Sequence, residues 1–315
     1  MKSKSKMTKV IIVVSVFFMI LVLGVCLAAC GDSKKIKFTI EDTLPKGEGR
    51  KARVILLAGQ SNAVGCSLTS YLEKNVSPEE YAAYAAGYDN VYINVFSSGR
   101  NVSNGFVRTS TDQGEPGGYF GPEVGLAATL AAKYPNELFF IVKFAWSGTN
   151  LFEQWRSPTC GNTGYLYKNF VRYTEKSLKY LKKKGYEPEI ESICWMQGES
   201  DSFSVYTAMD YEGHLKNFMK DLRSDFSRYA APKGIAFIDA EIAANPVYWV
   251  YCDLVNASKR EVAASSEMNV LIDTNAAGLC CDQEPEESPD IPHYDSLSQI
   301  KLGNLFAEEV IKFLE

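Results

Sequence analysis

Histidine is the scarcest reactive residue in this chain: 315 residues carry only two, His214 and His293. A metal site built from a histidine cluster is therefore excluded, and any mechanism that needs an imidazole must use one of these two. No C-x-x-C pair occurs, so adjacent Cys280 and Cys281 lack the companion motif of a zinc site. Cys66, Cys160, Cys194, Cys252, Cys280 and Cys281 follow no regular disulfide framework and read as structural or free thiols. The longest basic run beyond the N-terminus is Lys182-Lys183-Lys184. Nucleic-acid binding is disfavoured, because phosphate contacts need clustered Lys and Arg. Internal repeats and low-complexity blocks are also missing. These absences point to no metal, no cofactor and no nucleic-acid partner.

The N-terminus is distinctive. Lys2, Lys4, Lys6 and Lys9 come with no acid, and the apolar stretch from Val10 to Ala29 carries no charge. A basic segment before an apolar run reads as an export signal, although the run is also long enough to span a bilayer as an uncleaved anchor. Leu27-Ala28-Ala29-Cys30, followed by Gly31, Asp32 and Ser33, resembles the lipobox of bacterial lipoproteins, which implies acylation of Cys30. Cys26 follows the bulky Val25 and is the poorer site. The expected division is a signal over residues 1–29, a lipidated Cys30 with a polar tether to residue 50, and one domain over 51–315. A short edge strand is expected at Ile36 to Ile40. The implied location is the extracytoplasmic face of a bacterial cell membrane, with the lipid anchor as the membrane contact. Loss of residues 1–29 removes four lysines and no acids and moves the formal charge from −5 to −9.

Apolar runs at Arg53 to Leu57, Val91 to Phe96, Leu138 to Phe144, Ser192 to Met196, Ile235 to Ile238 and Val270 to Ile272 read as strands. Several are almost unbroken, as in strands covered on both faces. Between them, Pro122 to Tyr134, Leu166 to Lys184, Tyr211 to Phe226 and Ser298 to Leu314 have helical apolar spacing. This alternation predicts a three-layer α/β/α sandwich around a mostly parallel sheet. Ligands in such sheets bind beyond the carboxyl ends of the strands.

Polar clusters stand at those ends. They are Gly59-Gln60-Ser61-Asn62, Trp146-Ser147-Gly148-Thr149-Asn150, and Trp195-Met196-Gln197-Gly198-Glu199-Ser200-Asp201. A fourth, Asp290-Ile291-Pro292-His293-Tyr294-Asp295, precedes the last helix. A serine needs a base to take its proton, and histidine suits that role near neutral pH. His214 lies on the flank of a helical stripe and reads as a packing residue. His293 sits in a loop with Asp290 three residues earlier, a spacing that lets a carboxylate orient the ring.

Together the four clusters resemble the SGNH (GDSL-like) hydrolase superfamily, in its sialate O-acetylesterase-like branch, which includes carbohydrate esterase family six. The resemblance covers residues from about 53 to 313 and implies a serine esterase that removes O-acetyl groups from carbohydrates without a cofactor. It implies Ser61 as nucleophile, His293 as base and then acid, and Asp290 as its orienting partner. It further implies an oxyanion hole from the Ser61 N–H, the Gly148 N–H and the Gln197 side-chain amide. Gly121, which opens a helix, competes with Gly148. Gln60, Asn62, Glu199 and Asp201 bind substrate or support the site; Glu199 and Asp201 are read chiefly as supports for Gln197 and its loop. Glu199 and Asp295 are alternative partners for His293. Trp146, Trp155 and Trp195 are either a sugar-stacking face or core. Ala63 departs from the methionine that often follows the G-Q-S-N stretch in relatives, which bears on pocket shape. Two other readings stay open: a catalytically idle surface glycan-binding lipoprotein, and an esterase acting on a non-carbohydrate ester.

Overall fold

The computed structural model describes residues 36–314; the apolar N-terminal run and Cys30 lie outside them. A compact unit begins at Phe38. Its strands are β1 (Lys51–Gly59), β2 (Ser67–Leu68), β3 (Val91–Ser97), β4 (Arg100–Asn101), β5 (Val107–Arg108), β6 (Tyr119–Phe120), β7 (Phe139–Ala145), β8 (Glu187–Met196), β9 (Ala236–Ala240) and β10 (Asn269–Ile272). Six of them form a parallel sheet in the order β10-β9-β8-β1-β7-β3. The short β4 and β5 pair antiparallel with β3 at its far edge.

Successive strand residues face opposite sides of a sheet. Val54, Ile55, Leu56, Leu57 and Ala58 are all fully buried, as are Phe139, Phe140, Ile141 and Val142. Both faces are therefore covered, and the domain is the expected α/β/α sandwich. The long helices are Glu123–Lys133, Tyr165–Lys183, Val205–Asp225, Cys252–Ala264 and Ser296–Leu314. Four of the five follow the apolar spacing described above. The Cys252–Ala264 helix does not announce itself in the same way. Its buried face includes Lys259, whose ammonium lies 2.6 Å from Asp239 and donates to the Ala240 carbonyl at 2.8 Å.

Two expectations fail at the N-terminal side. No strand forms at 36–40: the Thr39 N–H goes to the Asn101 side chain, and the Phe38 ring packs edge-on against Phe96. The tether also ends sooner than expected, because Phe38 and Leu44 are both buried in the domain. Apolar side chains spaced six apart in a polar stretch follow neither the helical nor the strand period, so this segment reads as linker.

Chain order places the site. From β1 the chain first builds β3 and β7 on one side, then β8, β9 and β10 on the other. The carboxyl end of β1 lies where the direction of winding reverses, the crevice position of an open α/β sheet.

Candidate active site

Strand register brings three of the polar clusters to one level. Gly59 pairs with Ala145 of β7 and with Met196 of β8, so Gln60, Trp146 and Gln197 leave the sheet side by side. The Gln60 N–H donates to the Met196 carbonyl at 2.9 Å, and the Trp146 N–H to the Gly59 carbonyl at 3.0 Å. Gly59 has φ +144°, and a Cβ there would lie 1.9 Å from the Met196 oxygen. Only glycine lets the two strand ends approach this closely.

Ser61 begins a single helical turn, Ser61–Val64. Its side chain sits at the rim, 8% exposed, and its backbone N–H has no acceptor among the described residues. Beneath this turn, Lys143 donates to the Val64 carbonyl at 2.8 Å and to the Gln113 carbonyl at 3.1 Å. The Lys143 ammonium also meets Glu123 at 2.6 Å, with both side chains fully buried. Burial lowers the Lys143 pKa, and Glu123 opposes that shift. A buried charge needs both a counter-charge and hydrogen bonds. Here the pair holds the C-terminal carbonyl of the turn that carries Ser61.

Asn62 ties this turn to the fourth cluster. Its Nδ2 donates to Glu199 Oε1 at 2.8 Å and to the Pro292 carbonyl at 3.4 Å. Its Oδ1 accepts from the Tyr294 N–H at 3.0 Å, and its own carbonyl accepts from Gln299 Nε2 at 3.0 Å. Asn62 thus grips the backbone on both sides of His293. The Ser67 hydroxyl adds a bond to the Tyr294 carbonyl. The His293 N–H donates to the Asp290 carbonyl at 2.8 Å, which closes a turn, and Asp290 Oδ2 lies 2.7 Å from His293 Nδ1.

Cys66 is the other partner of the imidazole. It lines the same cavity as the His293 ring and raises its pKa, and its thiol donates to the Ser61 carbonyl at 3.5 Å. Burial alone would lower the His293 pKa; Cys66 and Asp290 outweigh it and hold the ring up to about 10. No hydrogen bond joins Ser61 to His293 among the described residues.

The expected oxyanion donors divide. Gly148 is exposed, adopts φ +69°, and has a backbone N–H without an acceptor among the described residues. Its competitor Gly121 is spent, because its N–H donates to Glu123 at 2.8 Å. Gln197 corrects the expectation. It is fully buried, and its two amide protons are shared among Asp201 Oδ2 at 2.5 Å, the Thr149 carbonyl at 3.1 Å and Gln60 Oε1 at 3.2 Å. A primary amide has two N–H donors, so none is left for a substrate. Gln197 instead braces the loops after β1, β7 and β8.

Its neighbours share that work. Asp201 accepts from the N–H groups of Leu151 and Phe152. Burial raises the Asp201 pKa to about 6 despite these donors. Gln60 Oε1 also accepts from the backbone of Gly198 and Ser200. Burial likewise raises the Glu199 pKa; one of its oxygens, Oε2, is buried without a partner. Glu199 makes no hydrogen bond to His293 among the described residues, and Asp295 is spent on the N–H groups of Gln283 and Glu284. Trp155 and Trp195 are core, with ring centroids 5.1 Å apart, whereas Trp146 is half-buried beside Tyr165. His214 packs on Phe152 at 5.1 Å, and burial lowers its pKa.

Sequence reasoning missed two residues of this site. Lys143 had a visible signal, a lone charge inside the apolar run Phe139–Ala145. Cys66, five residues after Ser61, had none, because its contact with His293 spans the whole domain.

Comparison with known proteins bears on the family and the fold. A family model described as carbohydrate esterase, sialic acid-specific acetylesterase, matches residues 51–312. A probable carbohydrate esterase of Arabidopsis thaliana is 27% identical over 162 residues, 51% of this chain and 52% of the relative. The match thus spans about half the length of that relative. A solved Arabidopsis thaliana structure superposes with a TM-score of 0.60 at 21% identity, covering 82% of this chain and 98% of the other. NanS superposes with a TM-score of 0.59 at 14% identity, covering 86% and 99%. At such identities the two structures speak for the fold alone. The family match spans most of the chain, from before Ser61 to beyond His293: this protein belongs to the carbohydrate esterase family of sialic acid-specific acetylesterases.

Proposed function

We propose that this protein removes O-acetyl groups from carbohydrates by two-step acyl transfer through an acetyl-Ser61 intermediate. His293 Nε2 takes the Ser61 proton as Oγ attacks the ester carbonyl. The tetrahedral oxyanion is held by the free N–H groups of Ser61 and Gly148, donors that act on charge appearing only in the transition state. His293 returns the proton to the departing sugar oxygen, and a water then releases acetate by the same steps in reverse order of partners. Asp290 keeps the ring oriented through Nδ1. The observation that carries this reading is Asn62: the residue after the nucleophile grips both flanks of the histidine. In unliganded sites catalytic hydrogen bonds are often long and tighten with substrate, which accommodates a Ser61 not yet bonded to His293.

The direct test is an acyl-chain series of p-nitrophenyl esters on residues 31–315. The chain neighbours of Ser61 and Gly148, namely Asn62 and Thr149, are polar and supply no apolar wall for a long acyl chain. Each methylene is worth about 0.8 kcal/mol only where such a wall receives it. We expect kcat/KM to fall from acetyl to butyryl and almost vanish at octanoyl. A preference for octanoate would overturn the carbohydrate reading.

The pH profile tests the base. A ring held up to about 10 keeps its proton through neutral pH, so the rate should still climb with pH on the alkaline side. Cys66→Ala removes one of the contacts that raise the ring. The acid limb of kcat/KM should then move to lower pH, and an unmoved limb would exclude Cys66 as a partner of the base.

Export and lipidation at Cys30 complete the proposal. Mass spectrometry of the mature N-terminus should find diacylglyceryl-modified Cys30; an intact Met1 would sink it.

A further inference from the structure

The two oxyanion donors proposed above come from different strand ends. Ser61 opens the turn after β1, whereas Gly148 stands in the loop after β7. The register that joins these strands ends at Gly59 and Ala145, short of both donors. Gly148 does not fix itself: it is exposed, has φ +69°, and a Cβ placed on it would meet nothing within 4 Å. Its N–H belongs to the planar peptide that joins it to Ser147, so the setting of Ser147 aims the donor.

We infer that Glu115 is a positioning residue of the esterase: it joins the turn that carries Ser61 to the peptide that carries the Gly148 N–H, and so sets the two oxyanion donors against each other. The inference rests on the esterase reading above. Glu115 lies in the loop between β5 and β6. Its backbone N–H donates to the Gly65 carbonyl at 2.9 Å, and the Gly65 N–H donates in turn to the Ser61 carbonyl at 2.9 Å. Its side chain reaches the other way. Oε1 accepts from the Ser147 hydroxyl at 3.2 Å and from the Ser98 hydroxyl at 3.1 Å. The Ser98 oxygen accepts from the Ser147 N–H at 3.4 Å. A hydroxyl has a single proton. With that proton committed to Glu115, the lone pairs of Ser98 are left to face the Ser147 N–H. Ser147 is therefore held by both its backbone and its side chain, immediately before the Gly148 N–H.

The loop that carries Glu115 is itself docked on the nucleophile turn. One buried ammonium ties the two together, since Lys143 donates to the Gln113 carbonyl as well as to the Val64 carbonyl. Gly114 lies between these contacts, and a Cβ there would stand 2.4 Å from the Gly65 oxygen. Glycine allows this close passage. The second carboxylate oxygen of Glu115, Oε2, takes Arg100 at 2.7 Å. Arg100 is about half exposed, so this ion pair adds little. The acceptor that matters is Oε1, which any side-chain carbonyl of the same length can replace.

The test measures kcat and KM on p-nitrophenyl acetate for Glu115→Ala, Ser147→Ala, their double variant and Glu115→Gln, with thermal unfolding of each. Loss of one oxyanion donor costs about 100- to 1000-fold. A donor that is kept but poorly aimed should cost less, about tenfold or more. Because such donors act in the transition state, the loss should fall on kcat, with KM held within about twofold. The double variant should lose no more than either single one, since Glu115 acts through Ser147. Glu115→Gln keeps an acceptor for the two hydroxyls and should retain about half of the parental kcat or more. Three results would each overturn the inference: an unchanged kcat in Glu115→Ala, losses that multiply in the double variant, or a Glu115→Gln no better than the alanine. Should Glu115→Ala fail to fold, Ser147→Ala decides, and a parental kcat there overturns the inference equally. Failure of the esterase reading looks different: the parent protein itself would release no acetate.

Discussion

Ser61→Ala should lower acetyl-ester turnover by about 10⁴-fold or more and leave the fold intact. The size follows from chemistry: in the proposed mechanism the residue supplies the atom that forms the covalent intermediate, and a solvent water is not held in place as Oγ is. The intact fold follows from geometry. The Ser61 hydroxyl makes no hydrogen bond among the described residues, whereas its backbone and Asn62 carry the structural ties. Removing an Oγ at the rim therefore leaves no buried group unpaired, and stability should change by about 0.5 kcal/mol or less. Steady-state rates on p-nitrophenyl acetate, with thermal unfolding of both proteins, check the two halves. A variant that keeps a tenth of parental activity would remove Ser61 from the mechanism. Serine-directed phosphonates should label the parent protein at Ser61.

His293→Ala should cost about as much, and Ser61→Ala combined with His293→Ala little more than either alone, because members of one catalytic unit are not additive. Asp290→Asn should cost less than loss of the histidine. It keeps the turn closed by the His293 N–H but removes the charge opposite Nδ1. His214→Ala is the internal control. Its ring packs on Phe152 and makes no hydrogen bond to Ser61, Asp290 or His293 among the described residues, so turnover should stay near the parental value. An inactive His214→Ala beside an active His293→Ala would reverse the assignment.

The sandwich was legible in the sequence because parallel strands covered on both faces are continuous apolar runs. Val54–Ala58 and Phe139–Ala145 announce themselves in this way. The proposed nucleophile and base stand out in the sequence for a simpler reason. With two histidines in the chain, a serine after the first strand and an Asp-x-x-His turn before the last helix leave few combinations. Residues such as Gln60, Asn62 and Gln197 were visible as polar groups at strand ends, but their duties were not. A side-chain amide has donors and acceptors in equal measure, and only the neighbours it meets decide whether those groups face substrate or protein. Gln197 meets Gln60, Thr149 and Asp201, and all its donors turn inward. Asn62 meets Glu199, Pro292 and Tyr294, across as many as 232 positions of chain. Cys66 and Lys143 gain their places in the same manner, one beside His293 and the other beneath the turn that carries Ser61. Local sequence determines which segments become strands and which side chains can do chemistry. The close approach of distant segments, paid for by the core, decides which of those side chains remain free to do it.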